Sequence, residues 1–470
     1  MRPKTSPWAR LAVAGAILAL ALGTTSCGIA PTGIQAMAEA PGGGGGGSFG
    51  GGGGGTGGGA QNATLVLFAE DQAADNVHSF EMTLTGITLS STTGTDVSLL
   101  ASPVELEWVS RSLAPTLLST TQVPAGTYNQ LEVLVASPQM VVYNPSTGLF
   151  DSVTPALTVS TVTLSVNISL NAGDIVGFRL DLDLLASVIS STQVTPQFAL
   201  ISTSFLVGQL PGDIDDALGT IDTVEPSNNR FTMTLMAPRQ QITVEVDANT
   251  VFDGVVTSLA GLATGQRVEV DARLQSSGNY RGLTVEVDST SSANFVRGLV
   301  IARSPASGDA TSVTLLVREE NPDQVIIDAG DQLTFSIDAS TSFRLNIEDL
   351  SVTGLTFDRQ ELRAGQSVLL EADSSTPTRA AQIVLKQGTI PGRVATVGIT
   401  TFNYTPLSNF FPDVGFPTLV SATAAETEFE DLPAGLGSLV PGQTVGVRGL
   451  FLVQIGQPRV ITKRVRLLVP

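Results

Sequence analysis

Val162-Thr-Leu-Ser-Val-Asn-Ile-Ser-Leu170 alternates without a break. Val162, Leu164, Val166, Ile168 and Leu170 fall on one side, and Thr163, Ser165, Asn167 and Ser169 on the other. A period of two places successive side chains on opposite faces, so the stretch reads as a strand with one face in a core and one in water. The pattern recurs in both directions along the chain. Phe178, Leu180, Leu182 and Leu184 alternate with Arg179, Asp181 and Asp183, and Phe80, Met82 and Leu84 with Glu81 and Thr83. Pro, Gly, Asn and Ser clusters separate these runs, while helical periodicity is scarce. The prediction is an all-β chain in which residues 61–208 form an antiparallel β-sandwich.

Four segments of this region carry a resemblance: Thr64-Leu-Val-Leu-Phe-Ala-Glu-Asp71, Phe80-Glu-Met-Thr-Leu-Thr-Gly-Ile-Thr-Leu89, Val123-Pro-Ala-Gly-Thr-Tyr-Asn-Gln-Leu-Glu-Val133 and Phe178-Arg-Leu-Asp-Leu-Asp-Leu-Leu-Ala-Ser-Val188. Together they resemble an uncharacterised domain family of bacterial lipoproteins. The resemblance implies a transthyretin/Ig-like sandwich in an exported protein and carries no catalytic residues. Within the third segment Gly126 suits a turn, and Tyr128 opens a returning strand against the sandwich edge.

Beyond an acidic joint, Pro211-Gly-Asp-Ile-Asp-Asp216, three units share an order of elements. Each has a strand glycine (Gly219, Gly298, Gly392), then Thr-x-Phe (Thr250–Phe252, Thr341–Phe343, Thr427–Phe429), then Gly-Gln-x-Val (Gly265–Val268, Gly365–Val368, Gly442–Val445). The middle unit carries extra residues around Leu350 to Asp358, read as a surface loop. Small β-barrel-like modules are expected over 209–293, 294–387 and 388–470. They resemble a second uncharacterised family of short exported β modules.

At the other end, Arg2, Lys4 and Arg10 precede an apolar run from Leu11 to Leu22. That run has the length of a signal-peptide core and is too short to span a bilayer as a helix. Gly23-Thr-Thr-Ser-Cys27-Gly28 then resembles the lipobox of bacterial lipoproteins, which implies residues 1–26 as signal peptide and lipidation at Cys27. Gly28 in second place implies sorting to an outer membrane. Residues 27–60, glycine-rich from Gly42 to Gly59, form a disordered tether, since they cannot bury enough apolar surface to offset ordering. A coil of that length spans on the order of 30 Å. Gly46-Gly-Ser-Phe-Gly50 matches a nucleophile elbow by composition alone, with no strand and helix to frame it.

The formal net charge is −19, with 24 Lys and Arg against 43 Asp and Glu. A nucleic-acid partner is therefore not expected, because a phosphate backbone needs clustered cations. Two tryptophans and four tyrosines are too few for the girdles of a membrane barrel. Cys27 is the only cysteine, which excludes intrachain disulfides and thiolate metal clusters. The expected partners are a membrane, through the lipid, and an envelope glycan or protein. The expected role is non-enzymatic, structural, adhesive or binding, with a carbohydrate-binding or glycan-processing accessory as the alternative.

Individual residues are weighed against that background. His78, the sole histidine, is read as a surface residue at a loop edge. Asp181 and Asp183, roughly 7 Å apart on one strand, have glycosidase-like spacing. A solvated face shared with Arg179 explains them more simply, as it does Glu245 with Asp247 and Glu269 with Asp271. Asp213, Asp215 and Asp216 offer oxygen ligands for calcium, the one cofactor weighed, against an acidic linker as the plainer reading. Tyr143, Phe150, Phe410 and Phe411 are read as exposed aromatics and are the candidate sugar platforms of the carbohydrate-binding alternative. Arg464 and Arg466 are expected on the outward face of the last strand, with Lys463 opposite.

Overall fold

The computed structural model describes residues 62–72, 75–92, 94–203, 210–236, 239–287, 295–320, 327–346, 350, 354–453 and 457–468. The apolar run, Cys27 and the glycine tract lie outside the described residues. The body is all-β, built from several small sheets and barrel-like modules.

Two sheets make the sandwich. One carries, in order, Phe198–Ser202, Ile175–Asp183, Asn62–Gln72 and Thr116–Pro124. The other is built on two long strands, Val77–Ser91 and Gly126–Asn144, flanked by Val97–Ser98, Val104–Glu107, Leu149–Val153 and Thr161–Leu170. Leu65, Leu67, Phe80, Met82, Leu84, Leu131, Val133, Leu180, Leu182 and Trp108 fill the space between them. The sandwich is not purely antiparallel, as the alternation alone implied. Asn62–Gln72 runs parallel to Ile175–Asp183, with Phe68 opposite Arg179 and Glu70 opposite Asp181. A parallel pair needs a crossover, and here the chain between the two strands travels through the opposite sheet before returning.

The strand Asn62–Gln72 is buried on both faces. Leu65, Leu67 and Ala69 point into the sandwich, whereas Val66 and Phe68 join a second core with Ile214, Phe231, Val268 and Val285. The outer face of this sheet is thus covered by other parts of the chain. Period two reports which residues share a face but not which face meets water.

Three sheets follow. The first is ordered Gln241–Glu245, Arg230–Leu235, Ile214–Glu225, Arg267–Leu274, Tyr280–Val287, Val251–Gly254, and the second Gln332–Ser336, Ser312–Glu320, Phe295–Ser304, Ser367–Ala372, Ala380–Lys386, Ser342–Leu345. The third is a closed barrel of Gly388–Val397, Thr401–Pro406, Leu419–Glu430, Arg459–Leu467 and Thr444–Leu452. In each, the segment after Thr-x pairs in parallel with the last strand, placing Phe252 opposite Val285, Phe343 opposite Ile383 and Phe429 opposite Val465.

The recurring residues have a structural cause. Thr250, Thr341 and Thr427 each donate their hydroxyl to a carbonyl at the parallel seam, of Gly282, Ala380 and Thr462, at 2.9, 2.8 and 2.8 Å. Gly265, Gly365 and Gly442 have φ of +82°, +93° and +94°, a region that disfavours a Cβ. The following Gln266, Gln366 and Gln443 accept from the backbone N–H three residues earlier at 3.0, 2.7 and 2.8 Å, closing the turn. At the strand glycines, a Cβ on Gly219, Gly298 or Gly392 would come within 2.5, 2.4 or 2.2 Å of the neighbouring strand. These motifs are consumed in building the fold. The extra residues of the middle unit do not simply make a surface loop, since Leu350 and Phe357 are buried and Phe357 stacks edge-on with Phe343.

Candidate functional site

The charged face predicted for Arg179 and Asp181 is not solvated. It lies under the last barrel, where Arg179 is 2% and Asp181 1% exposed. Arg179 bridges Glu70 at 2.7 Å and Glu430 at 2.5 Å, and Arg466 meets Asp181 at 2.8 Å and Glu70 at 3.5 Å. Arg466 and Arg464 are therefore inward, contrary to the outward reading, and Arg464 donates to the carbonyl of Leu113 at 3.0 Å. Three carboxylates face two guanidiniums, so the cluster is over-supplied with negative charge. Burial, opposed by Arg179 and Arg466, pushes the Glu70 carboxyl up to about 7. Burial raises Asp71 too, well above the carboxylate range, with Asp181 adding to it. Asp183 stands apart as a cap, accepting from the N–H of Ala186 at 2.9 Å. Asp181 and Asp183 thus hold separate structural positions rather than forming a carboxylate pair.

His78 is buried at 5% exposure rather than at a loop edge. Its Nε2 shares a 2.7 Å hydrogen bond with the hydroxyl of Ser408, a partner that sequence spacing gave no means of finding across 330 positions. The rings of Tyr143, Phe150 and Phe410 surround it edge-to-face at 6.3, 5.2 and 5.4 Å. Burial, then Arg318, lowers the imidazole to about 3, so the ring is neutral and a poor base at neutral pH. The adjoining cavity, about 30 Å³, is water-sized. Tyr143, Phe410 and Phe411 are buried and Phe150 is half-buried, so these rings are a core between sandwich and barrels and present no open sugar platform.

The acidic joint also resolves differently from a three-aspartate site. Asp213 is held by Arg273 at 3.0 Å. Asp215 and Asp216 instead gather with Asp271, their oxygens within 4.8 Å of one another. Arg448 reaches Asp216 at 3.2 Å and Arg464 reaches Asp215 at 3.9 Å. Burial, reinforced by Asp216, lifts Asp215 to about 6; burial acts on Asp216 as well, but Arg448 and other cations hold it below its usual range. Glu269 is likewise buried, in an ion pair with Lys386.

One opening among the described residues lies where the sandwich meets the first two barrel-like sheets. It is a cleft of about 830 Å³, within the range that holds small ligands. The loop Leu99–Pro103, hydroxyls of Ser119, Thr120 and Thr121, and Met236, Arg239 and Gln240 form its walls, with Glu107, Arg111, Arg318 and Glu319 at its floor. Both floor carboxylates are committed. Glu107 accepts from the backbone N–H groups of Phe80, Val109 and Ser110 at 3.0, 3.3 and 2.7 Å. Glu319 takes Arg111 at 2.5 Å, Arg297 at 3.6 Å and the Ser110 hydroxyl at 3.4 Å. Arg318 donates through Nε to the carbonyl of His78 at 3.2 Å, its one hydrogen bond among the described residues.

Residues 219–286 match the model of a domain of unknown function, DUF5666. No curated protein sequence matches the chain. Among solved structures, the chain is similar to the drosophila Unr CSD456 structure, at 11% identity over 54% of this chain and 97% of that one, with a TM-score of 0.14. A second is a multidomain protein with nucleic acid binding domains from Streptococcus pneumoniae TIGR4, at 13% identity over 54% of this chain and 72% of that one, with a TM-score of 0.12.

Proposed function

We propose that this is a lipid-anchored envelope protein with a non-enzymatic binding role, held through Cys27 on its glycine-rich tether. The observation that carries the reading is how the chemistry-bearing side chains are spent. Arg179, Asp181, Arg466, Glu269 and Lys386 pair with one another across the body, and His78 is sealed among rings. What is left open to solvent is a cleft, framed by units that buried ion pairs hold in fixed relation. The second and third barrels are proposed as further copies of the unit that DUF5666 describes, on the shared Thr, Gly and Gln contacts. The buried aromatic rings weigh against the glycan-platform alternative. Nucleic acid is not proposed, given the net charge of −19.

Mass spectrometry of the membrane-extracted protein tests the anchor: an acylated N-terminal Cys27 is expected, with Cys27→Ser shifting the protein to the soluble fraction. An unmodified N-terminus elsewhere, with membrane association unchanged by Cys27→Ser, would end the reading.

A further inference from the structure

We infer that the cleft is a docking groove for an uncharged, extended peptide segment of another protein, which adds as a strand to the free edge of Thr116–Pro124. The inference names a ligand class for the proposed binding role, on which it rests, and is independent of the anchor.

Thr116–Pro124 ends its sheet, with Asn62–Gln72 on one side and no strand on the other. Among the described residues, no backbone group of Leu117–Val123 bonds to main chain outside that ladder. About half of an edge strand's N–H and C=O groups point away from its one partner, free to pair with another chain. Ser119, Thr120 and Thr121 sit opposite Leu67, Val66 and Leu65 in unbroken register, so their side chains alternate between faces. All three nevertheless line the cleft. Three consecutive strand residues share one opening along their backbone edge, so the cleft runs beside the unpaired ladder. Ser119 is 9% exposed and its Oγ has no partner among the described residues, a cost that native interiors rarely leave uncompensated. Charged side chains and proline, which commonly blunt an open edge, are absent from Thr116–Val123.

The shape and charge of the groove specify the occupant. A row of alternating N–H and C=O groups is matched by an extended polypeptide backbone. The loop Leu99–Pro103 walls the same cleft, so the edge is recessed and admits a single extended segment rather than the sheet edge of a second copy. A volume of about 830 Å³ is room for a short segment. Glu81, Glu105, Glu107 and Glu319 line the cleft against Arg111, Arg239 and Arg318. Four carboxylates and three guanidiniums nearly cancel, so a segment without net charge is favoured over a charged one. The chain's own approach to this sheet, Gly42–Gly59, consists almost wholly of glycine, a poor strand former, which leaves another protein as the source.

Fluorescence anisotropy and amide hydrogen exchange on the full-length protein test this. The probes are acetylated, amidated hexapeptides composed of Ser, Thr, Val and Ala, the same peptides N-methylated on alternate backbone amides, and maltose. Binding of uncharged peptides is expected, with amide exchange in Leu118–Thr121 slowed at least tenfold, affinity lost at least tenfold on N-methylation, and no binding of maltose. Ala101→Trp, at an exposed residue of the cleft wall, fills the opening and should weaken peptide binding at least tenfold while the circular dichroism stays that of the wild type. The inference is overturned if no peptide binds, if the N-methylated forms bind equally, if exchange in Leu118–Thr121 is unchanged, if Ala101→Trp binds undiminished, or if maltose binds instead. It also fails if every amide of Leu118–Thr121 is protected in the protein alone, since the edge is then covered by the chain itself where protection is independent of concentration, and by a second copy where it rises with concentration. None of these outcomes depends on where Cys27 places the protein.

Discussion

The sandwich meets the last barrel along two seams of opposite chemistry. One is ionic, with Arg179 and Arg466 locked among Glu70, Asp181 and Glu430. The other is aromatic, with Tyr143, Phe150 and Phe410 closed around the neutral ring of His78. Both are buried and both join residues hundreds of positions apart, yet they fail differently. A buried charge cluster is held by mutual compensation, so losing one member exposes the rest to an uncompensated interior. Ring packing degrades in proportion to the atoms removed.

The largest effect should therefore come from the ionic seam. Arg466→Met strands Asp181 beside a half-paired Glu70 and is expected to cost about 3–5 kcal/mol in urea unfolding. Adding Glu70→Gln and Asp181→Asn should recover much of the loss, because the surplus carboxylates go with the guanidinium. A single-variant loss under about 1 kcal/mol would place this cluster with solvent-screened surface pairs instead. In the aromatic seam, Phe410→Ala should cost about 3 kcal/mol by leaving a cavity against His78 and Phe411. No second substitution is expected to rescue it short of refilling the volume.

Titration separates the seams by sign. Glu70 has a folded pKa of about 7 against an ordinary 4.5, so between those values the folded chain holds a proton that the unfolded chain has lost. Its contribution to stability thus falls as pH rises through that window. His78 is displaced the other way, to about 3 from 6.5, so the unfolded chain binds the extra proton and stability falls as pH drops below 6.5. Urea unfolding from pH 4.5 to 8 should show Glu70→Gln gaining on the wild type toward the alkaline end, by on the order of 1–3 kcal/mol. His78→Phe should gain toward the acid end. The same slope in both variants would contradict the opposed burial of the two groups.

The difference between the seams also explains what sequence could and could not convey. Alternation at Val162–Leu170 and Phe178–Leu184 identified strands and the correct core face, because Leu180 and Leu182 answer to a local period. The Thr, Gly and Gln positions of the three barrels were visible for the same reason, each bond reaching a short-range turn or a neighbouring strand. Arg179 and Asp181 were misread as solvated because their cover, Glu430 and Arg466, comes from a distant part of the chain. His78 and Ser408 were unpairable from spacing, and Tyr143 with Phe410 looked exposed only while the barrel that buries them was out of view. The cleft had no motif at all, since its floor draws on the sandwich and the second barrel together and part of its wall on the first.

The smallest predicted effect isolates the polar trim of the aromatic seam. Tyr143 donates its hydroxyl to Asp413 at 2.6 Å, while its ring packs against Phe150 and Phe410 at 5.1 and 5.5 Å. Tyr143→Phe keeps the ring and deletes the bond. Because Asp413 is exposed and regains water as a partner, the net loss should be about 1 kcal/mol, the usual balance between a protein hydrogen bond and its hydrated alternative. In urea this appears as a lower midpoint with an unchanged slope, since no additional surface is exposed. A loss equal to that of Phe410→Ala would mean that the hydroxyl, not the rings, closes this seam, and its contrast with the ionic one would then be a difference of degree rather than of kind.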